Sequence, residues 1–183
     1  MSDSHLIETA TQSQEIFKGQ IVDVYVDTVT LPNGKPASRE VVRHCPAVAI
    51  LAVTPDDQVI LVRQYRHPTG QILLEVPAGK MDVKGEAPET CALRELAEET
   101  PYTAQQVKLI HTFYTAPGFC DELMYLYEAT ELQKNSQVAS DEDEFVDTVL
   151  LSRQEVKQAL QNDQITDAKS LIALQHWLLQ NAA

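Results

Sequence analysis

The chain has 183 residues, of which 44% are hydrophobic and 22% charged, which suits one globular domain with or without a small appendage. Its formal charge of −13, from 14 basic and 27 acidic side chains, argues against non-specific binding to nucleic acid or to anionic membranes. A phosphate-bearing substrate would need local positive charge from metal ions or from a few placed arginines. Cys45, Cys91 and Cys120 are odd in number and share no ligand-like spacing, so neither a disulfide framework nor a zinc site is expected, and a reducing cytoplasm is the expected compartment. Residues 1–15 are polar and do not read as a signal peptide, and no apolar stretch is long enough to span a bilayer.

In chain order, Val22, Val24 and Val26 alternate with polar residues and predict a strand. Pro32-Asn33-Gly34-Lys35 is a hairpin turn signal, and residues 38–44 form the returning strand. Three apolar runs follow, Ala47–Val53, Val59–Arg63 and Ile72–Val76, separated by Pro55-Asp56-Asp57 and Pro68-Thr69-Gly70; they read as core strands. Pro77-Ala78-Gly79 closes that block. A loop leads to a helix over roughly 88–100, with Pro88 in its first turn, where proline is tolerated. Strands are predicted at 106–115, 122–131 and 144–151, with a polar loop at 133–143. Ser152-Arg153-Gln154-Glu155 is a capping-box signature for a helix to about Gln161, and Leu171, Leu174 and Leu178 mark a last helix over 167–180. The mixed order of elements gives an α/β or α+β class.

The helix over 88–100 carries the chemistry. At about 100° per residue, Leu93, Leu96, Ala97 and Thr100 share one face. Glu95, Glu98 and Glu99 share another. Two carboxylates about 4 Å apart repel by about 4 kcal/mol at an effective dielectric near 20. Arg94 can serve Glu98 one turn on, while Glu95 and Glu99 find no partner within the helix. Two readings fit: a solvated acidic face, or a site for a hard cation such as Mg²⁺, which takes carboxylate oxygens and keeps waters for a phosphate ligand.

Gly79, Glu86, Arg94, Glu95, Leu96, Glu98 and Glu99 resemble the Nudix box, a glycine-to-glutamate loop followed by R-E-U-x-E-E-x-G-U with U apolar. REUxEE is matched in full. Gly79 and Glu86 are separated by one residue more than in the box, and Pro101 stands where the box has glycine. The resemblance extends over roughly residues 16–180 and is closest to the ADP-ribose pyrophosphatase branch. It is carried by Glu75-Val76-Pro77-Ala78-Gly79-Lys80, by residues 116–122, by the acidic stretch 140–146 and by residues 165–170.

The resemblance implies a Nudix-type α/β/α sandwich with a mixed sheet, preceded by an antiparallel β-hairpin. Residues 1–44 would form a tail and a dimerising β segment, and residues 45–183 the Nudix domain. It also implies Mg²⁺-dependent hydrolysis of ADP-ribose to AMP and ribose 5-phosphate, with Mn²⁺ as another acceptable ion, and a homodimer. By position, the backbone carbonyl of Ala78 with Glu95, Glu99 and Glu144 would hold metal. Glu98 would be a ligand or orient water, and Glu142 would activate the attacking water. Arg39, Arg66 and Glu122 would contact substrate, and Phe17 could stack on adenine. Read without the resemblance, Arg39 is a surface strand residue, Arg66 a strand-end ion-pair partner, Glu122 a turn carboxylate and residues 140–144 a solvated loop. His44, His67 and His111 show no ligand spacing. A hydrolase of another nucleoside diphosphate sugar, such as GDP-mannose, and a catalytically silent nucleotide-binding module are the competing readings.

Overall fold

The computed structural model describes residues 3–134 and 145–180, which fall into two compact units. The first comprises the described residues up to Cys45 together with Tyr114–Leu123; the second comprises Pro46–Phe113 and the described residues from Met124 onward.

In the first unit, β1 (Thr9–Lys18), β2 (Val22–Thr30) and β3 (Pro36–His44) form an antiparallel meander in that order. The β2–β3 turn closes as its residues demand. Gly34 adopts φ +80°, and Leu31 donates to the Lys35 carbonyl at 2.8 Å. β1 arises from residues that the sequence assigns in large part to a polar tail. TATQSQEIFK has no clean alternation, and every residue of β1 is exposed. It is a strand because β2 offers it a ladder, with irregularities after Ala10 and Glu15. The predicted N-terminal hairpin is therefore a three-stranded sheet. Residues 114–123 rejoin this unit: Val42 donates to the Phe119 carbonyl at 2.7 Å, and Asp121 donates back to Val42 at 3.2 Å.

The second unit is built around β4 (Ala47–Ala52), buried at every position. It pairs parallel with β10 (Leu123–Thr130) and antiparallel with β7 (Ala78–Lys80), in a mixed sheet of order β7-β4-β10-β9, where β9 is Gln106–Tyr114. A second, antiparallel sheet has the order β12-β5-β6, from Val146–Ser152, Gln58–Arg66 and Gln71–Glu75. A two-stranded ribbon, β8 (Tyr102–Thr103) with β11 (Gln133–Lys134), completes it.

Alternation along β4 separates two cores. Ala47, Ala49 and Leu51 pack with Val156, Ala159, Ala173, Leu174 and Trp177 from α2 (Arg153–Gln161) and α3 (Ala168–Leu179). Val48, Ile50 and Ala52 pack with Cys91, Ala92 and Leu96 from α1 (Pro88–Glu99). This is helix on sheet on helix, the predicted α/β/α arrangement. The predicted capping box is present: the Ser152 hydroxyl accepts from the Glu155 amide, and the Glu155 carboxylate accepts from the Ser152 amide. Asp167 caps α3 by accepting from the Ser170 amide at 3.0 Å.

The inner face of α1 differs from the prediction. Leu96 and Thr100 are buried as expected, but Leu93 and Ala97 are only half-buried, and Cys91, Ala92, Glu95 and Glu99 complete the buried stripe. Two of the box glutamates thus face inward. Pro101 does no harm to the helix exit. The chain leaves at Thr100 with extended φ, its hydroxyl donates to the Leu96 carbonyl at 2.6 Å, and the Tyr102 amide donates to that hydroxyl at 3.2 Å. A threonine side chain takes the place of the left-handed glycine cap.

Candidate active site

Strand β7 and the inner face of α1 form a cradle in the second unit. The carboxylate of Glu95 lies directly over Gly79. A Cβ at that position would stand 1.8 Å from Glu95 Cδ and 2.1 Å from each carboxylate oxygen, so only glycine leaves room. One turn on, Glu99 Oε2 accepts a 2.9 Å hydrogen bond from the Ala78 amide. Both carboxylates are largely buried, at 8% and 4% exposure. Predicted residues Ala78, Glu95 and Glu99 are thus brought together by the β7–α1 packing.

Arg94 organises the acids beside them. Its Nε and Nη2 bind both oxygens of Glu86 at 3.0 and 2.9 Å, while Nη1 donates at 2.8 Å to Glu95 and at 2.8 Å to Glu98. The Glu98 pairing is the one expected from spacing. The Glu95 pairing corrects the expectation that Glu95 finds no partner within the helix, because the planar guanidinium fork reaches two carboxylates from a single nitrogen. The bidentate Arg94 contact holds the Glu86 carboxyl below its ordinary range, and Glu86 with its neighbours raises Arg94 further. Cys91, buried next to Arg94, has its thiol pushed up to about 12, first by desolvation and then by Glu95.

The predicted substrate residue Arg66 ends β5. It grips Glu75 bidentately, Nε to Oε1 at 2.9 Å and Nη2 to Oε2 at 2.8 Å, and Glu99 lies near enough to add to the stabilisation of its charge. Glu75 is 1% exposed and also accepts from Lys169 of α3. The strand-end ion pair is therefore real, and residue spacing gives no sign of Lys169, 94 residues from Glu75.

In the first unit, Arg39 pairs with Glu8, Nε to Oε2 at 2.9 Å, while Glu122 accepts from Thr115 at 2.5 Å and lies 3.5 Å from His44 Nδ1. Arg39 also lines a depression of about 330 Å³ with Arg43, Phe119 and Asp121. Glu142 and Glu144 lie outside the described residues.

The cradle fits a hard divalent cation. It offers buried carboxylate oxygens and a strand end where a side chain is excluded, the few-ligand oxygen set that Mg²⁺ takes when phosphates and waters complete its shell. Among the described residues, no three carboxylate, imidazole or thiolate groups converge tightly enough to cage a cation alone.

A NUDIX domain model matches residues 43–174, and a nucleoside diphosphate sugar hydrolase N-terminal domain model matches residues 8–42. The chain belongs to the Nudix hydrolase family. It is 44% identical to a methanol dehydrogenase activator of Bacillus methanolicus, over 96% of this chain and 95% of that one. It is 43% identical to an ADP-ribose pyrophosphatase of Bacillus subtilis, over 97% and 96%. A crystal structure of an ADP compounds hydrolase has the same fold, with a TM-score of 0.83 at 24% identity over 96% of both chains.

Proposed function

We propose that this protein hydrolyses the diphosphate of ADP-ribose: water adds at phosphorus, the bridging P–O bond breaks, and AMP and ribose 5-phosphate leave. The reading is supported above all by the pair of buried carboxylates, Glu95 and Glu99, set against Gly79 and Ala78. The ADP-ribose pyrophosphatase relative, similar over nearly its whole length, supports the choice of substrate.

In this reading Glu95, Glu99 and the Ala78 carbonyl hold Mg²⁺, or Mn²⁺ in its place, with Glu144 as a further ligand. The cation supplies neutralisation of diphosphate charge, which a chain of net charge −13 otherwise lacks. Arg94 holds the Glu95 and Glu98 carboxylates in place, and Glu98 holds a water or adds a ligand oxygen. Arg66 meets a phosphate oxygen with the part of its fork that Glu75 does not use, and Arg39 and Glu122 make further substrate contacts. Glu142 takes the proton of the attacking water. The roles of Glu142 and Glu144 rest on the sequence resemblance.

The protein acts as a homodimer. Support comes from β1, an edge strand exposed along its whole length, with Leu6, Ile7, Ile16, Phe17 and Ile21 all more than half exposed nearby. It works in the cytoplasm, a reading supported by an odd number of cysteines with no disulfide-framework spacing. No helix among the described residues is long and apolar enough to cross a membrane.

The test is a panel of nucleoside diphosphate sugars, including ADP-ribose and GDP-mannose, incubated with the enzyme and Mg²⁺. The reading predicts AMP from ADP-ribose at a kcat/KM at least tenfold above that for any guanosine compound. Preference for GDP-mannose, or binding without turnover of every compound, would overturn it. Sedimentation should give a mass twice that of the chain.

A further inference from the structure

A second charged cluster adjoins the cradle, with Arg66 near Glu99, and the chemistry of the metal site does not account for it. It joins β5, β6 and α3: Arg66 grips Glu75, Glu75 also accepts from Lys169, and Lys169 contacts Asp167 at 3.0 Å. Asp167 in turn accepts from the Ser170 hydroxyl at 2.6 Å, and that hydroxyl accepts from the Val76 amide at 2.8 Å. Two cations and two anions balance. Glu75 and Lys169 are 1% and 8% exposed, so removing either one leaves the other as a buried charge short of a partner. Burial pushes the Glu75 carboxyl up, but Arg66 and Lys169 outweigh it and hold it below its ordinary range.

The connectivity gives the cluster a direction. Both Glu75 oxygens are taken by the Nε/Nη2 edge of Arg66, with Lys169 sharing Oε2. Nη1 of Arg66 has no hydrogen-bond partner among the described residues, and the Arg66 side chain is 36% exposed. An arginine clamped along one edge presents its remaining edge in a fixed orientation, at little entropic cost on binding. The same cluster fixes Val76, two residues before Ala78.

We propose that Lys169 is a positioning residue: from α3 it holds the Glu75 carboxylate in place, and Glu75 aims the free edge of Arg66 at a phosphate oxygen of the substrate. The inference rests on the phosphate-binding role given to Arg66 above. Lys169 touches no substrate, so its removal should act only through Arg66.

The experiment is a double-mutant cycle read by calorimetric titration of inorganic pyrophosphate in Mg²⁺, alongside kcat and KM for ADP-ribose. R66A and K169M should each weaken pyrophosphate by about tenfold, the loss expected for one charged hydrogen-bonding group. Each should raise KM by a similar factor with kcat within about threefold. In the R66A background, K169M should change affinity less than about twofold. Mn²⁺ affinity, read by electron paramagnetic resonance, should be the same in wild type and K169M. Additive losses, an unchanged affinity in K169M, or a parallel loss of Mn²⁺ binding would each overturn the proposal. E75Q, nearly isosteric, supplies the same cycle against R66A should K169M not fold. Pyrophosphate binding that follows this pattern in an enzyme releasing no AMP from ADP-ribose would reject the substrate assignment and leave the positioning role standing. An R66A protein binding pyrophosphate as tightly as wild type would reject the phosphate-binding role of Arg66 and with it the positioning role of Lys169.

Discussion

Replacing Gly79 by alanine puts a methyl group where the Glu95 carboxylate now sits. The new Cβ would be 1.8 Å from Glu95 Cδ. Ordinary carbon–carbon contact is about 3.5 Å, so the carboxyl must retreat by about 1.7 Å. The far end of a glutamate can do this by a rotamer change, so the fold survives and Tm should fall by no more than a few degrees. The function should not survive. A retreat of that size removes Glu95 from the strand end it caps and strains its 2.8 Å contact with Arg94. Misplacing a reacting group by about 1 Å costs on the order of a hundredfold in rate. G79A should therefore lose at least that factor in kcat/KM for ADP-ribose, with Mn²⁺ affinity falling in step. The assay is AMP release across a Mg²⁺ titration, paired with a thermal melt. A folded G79A enzyme with wild-type kcat/KM and wild-type metal affinity would refute the placing of Glu95 in the cradle.

Three further outcomes follow from the charges. Arg94→Met leaves Glu86, Glu95 and Glu98 facing one another without their shared cation, so Tm should fall in EDTA and recover in part on adding Mg²⁺; a melt indifferent to both would contradict Arg94 as the hub. The Glu75 carboxyl is lower in the folded state than in the unfolded chain, so its contribution to stability is complete above its unfolded pKa of about 4.3 and is lost as pH falls through the folded value. E75Q should therefore lose stability less steeply than wild type between about pH 5 and pH 3, and parallel pH profiles would remove Glu75 from the linkage. With its thiol pushed up to about 12, Cys91 should resist alkylation at pH 8 in the native protein and react only on denaturation; rapid native labelling, located by peptide mass, would contradict its burial against Arg94.

The sequence was most legible where chemistry is local. Continuous apolar runs marked β4 and β5, the Ser152–Glu155 box marked the start of α2, and REUxEE marked α1. Its failures share a cause, which is contact between distant segments. TATQSQEIFK has no periodicity of its own and becomes a strand by pairing with β2. Leu93 and Ala97 lose the buried face of α1 to Glu95 and Glu99 because β4 and β7 lie on that side, and the Gly79 strand end can receive a carboxylate. The Arg94–Glu95 pair escapes a rule based on spacing of three and four. Lys169 could have been suspected only from the pattern Asp167-Ala168-Lys169-Ser170, whose cap places a lysine at the start of α3, where a helix has least use for positive charge. A cation held there against the helix dipole is a signal that an acid from elsewhere receives it.

The most direct test of the account is to follow ADP-ribose in Mg²⁺ with wild type and with Glu99→Gln, which keeps the shape of the side chain and an oxygen to accept from the Ala78 amide. AMP and ribose 5-phosphate should appear in equal amounts from wild type and should not appear in EDTA. E99Q should be at least about a hundredfold slower with an unchanged melt. Intact ADP-ribose after incubation with wild type, or full turnover by E99Q, would contradict it.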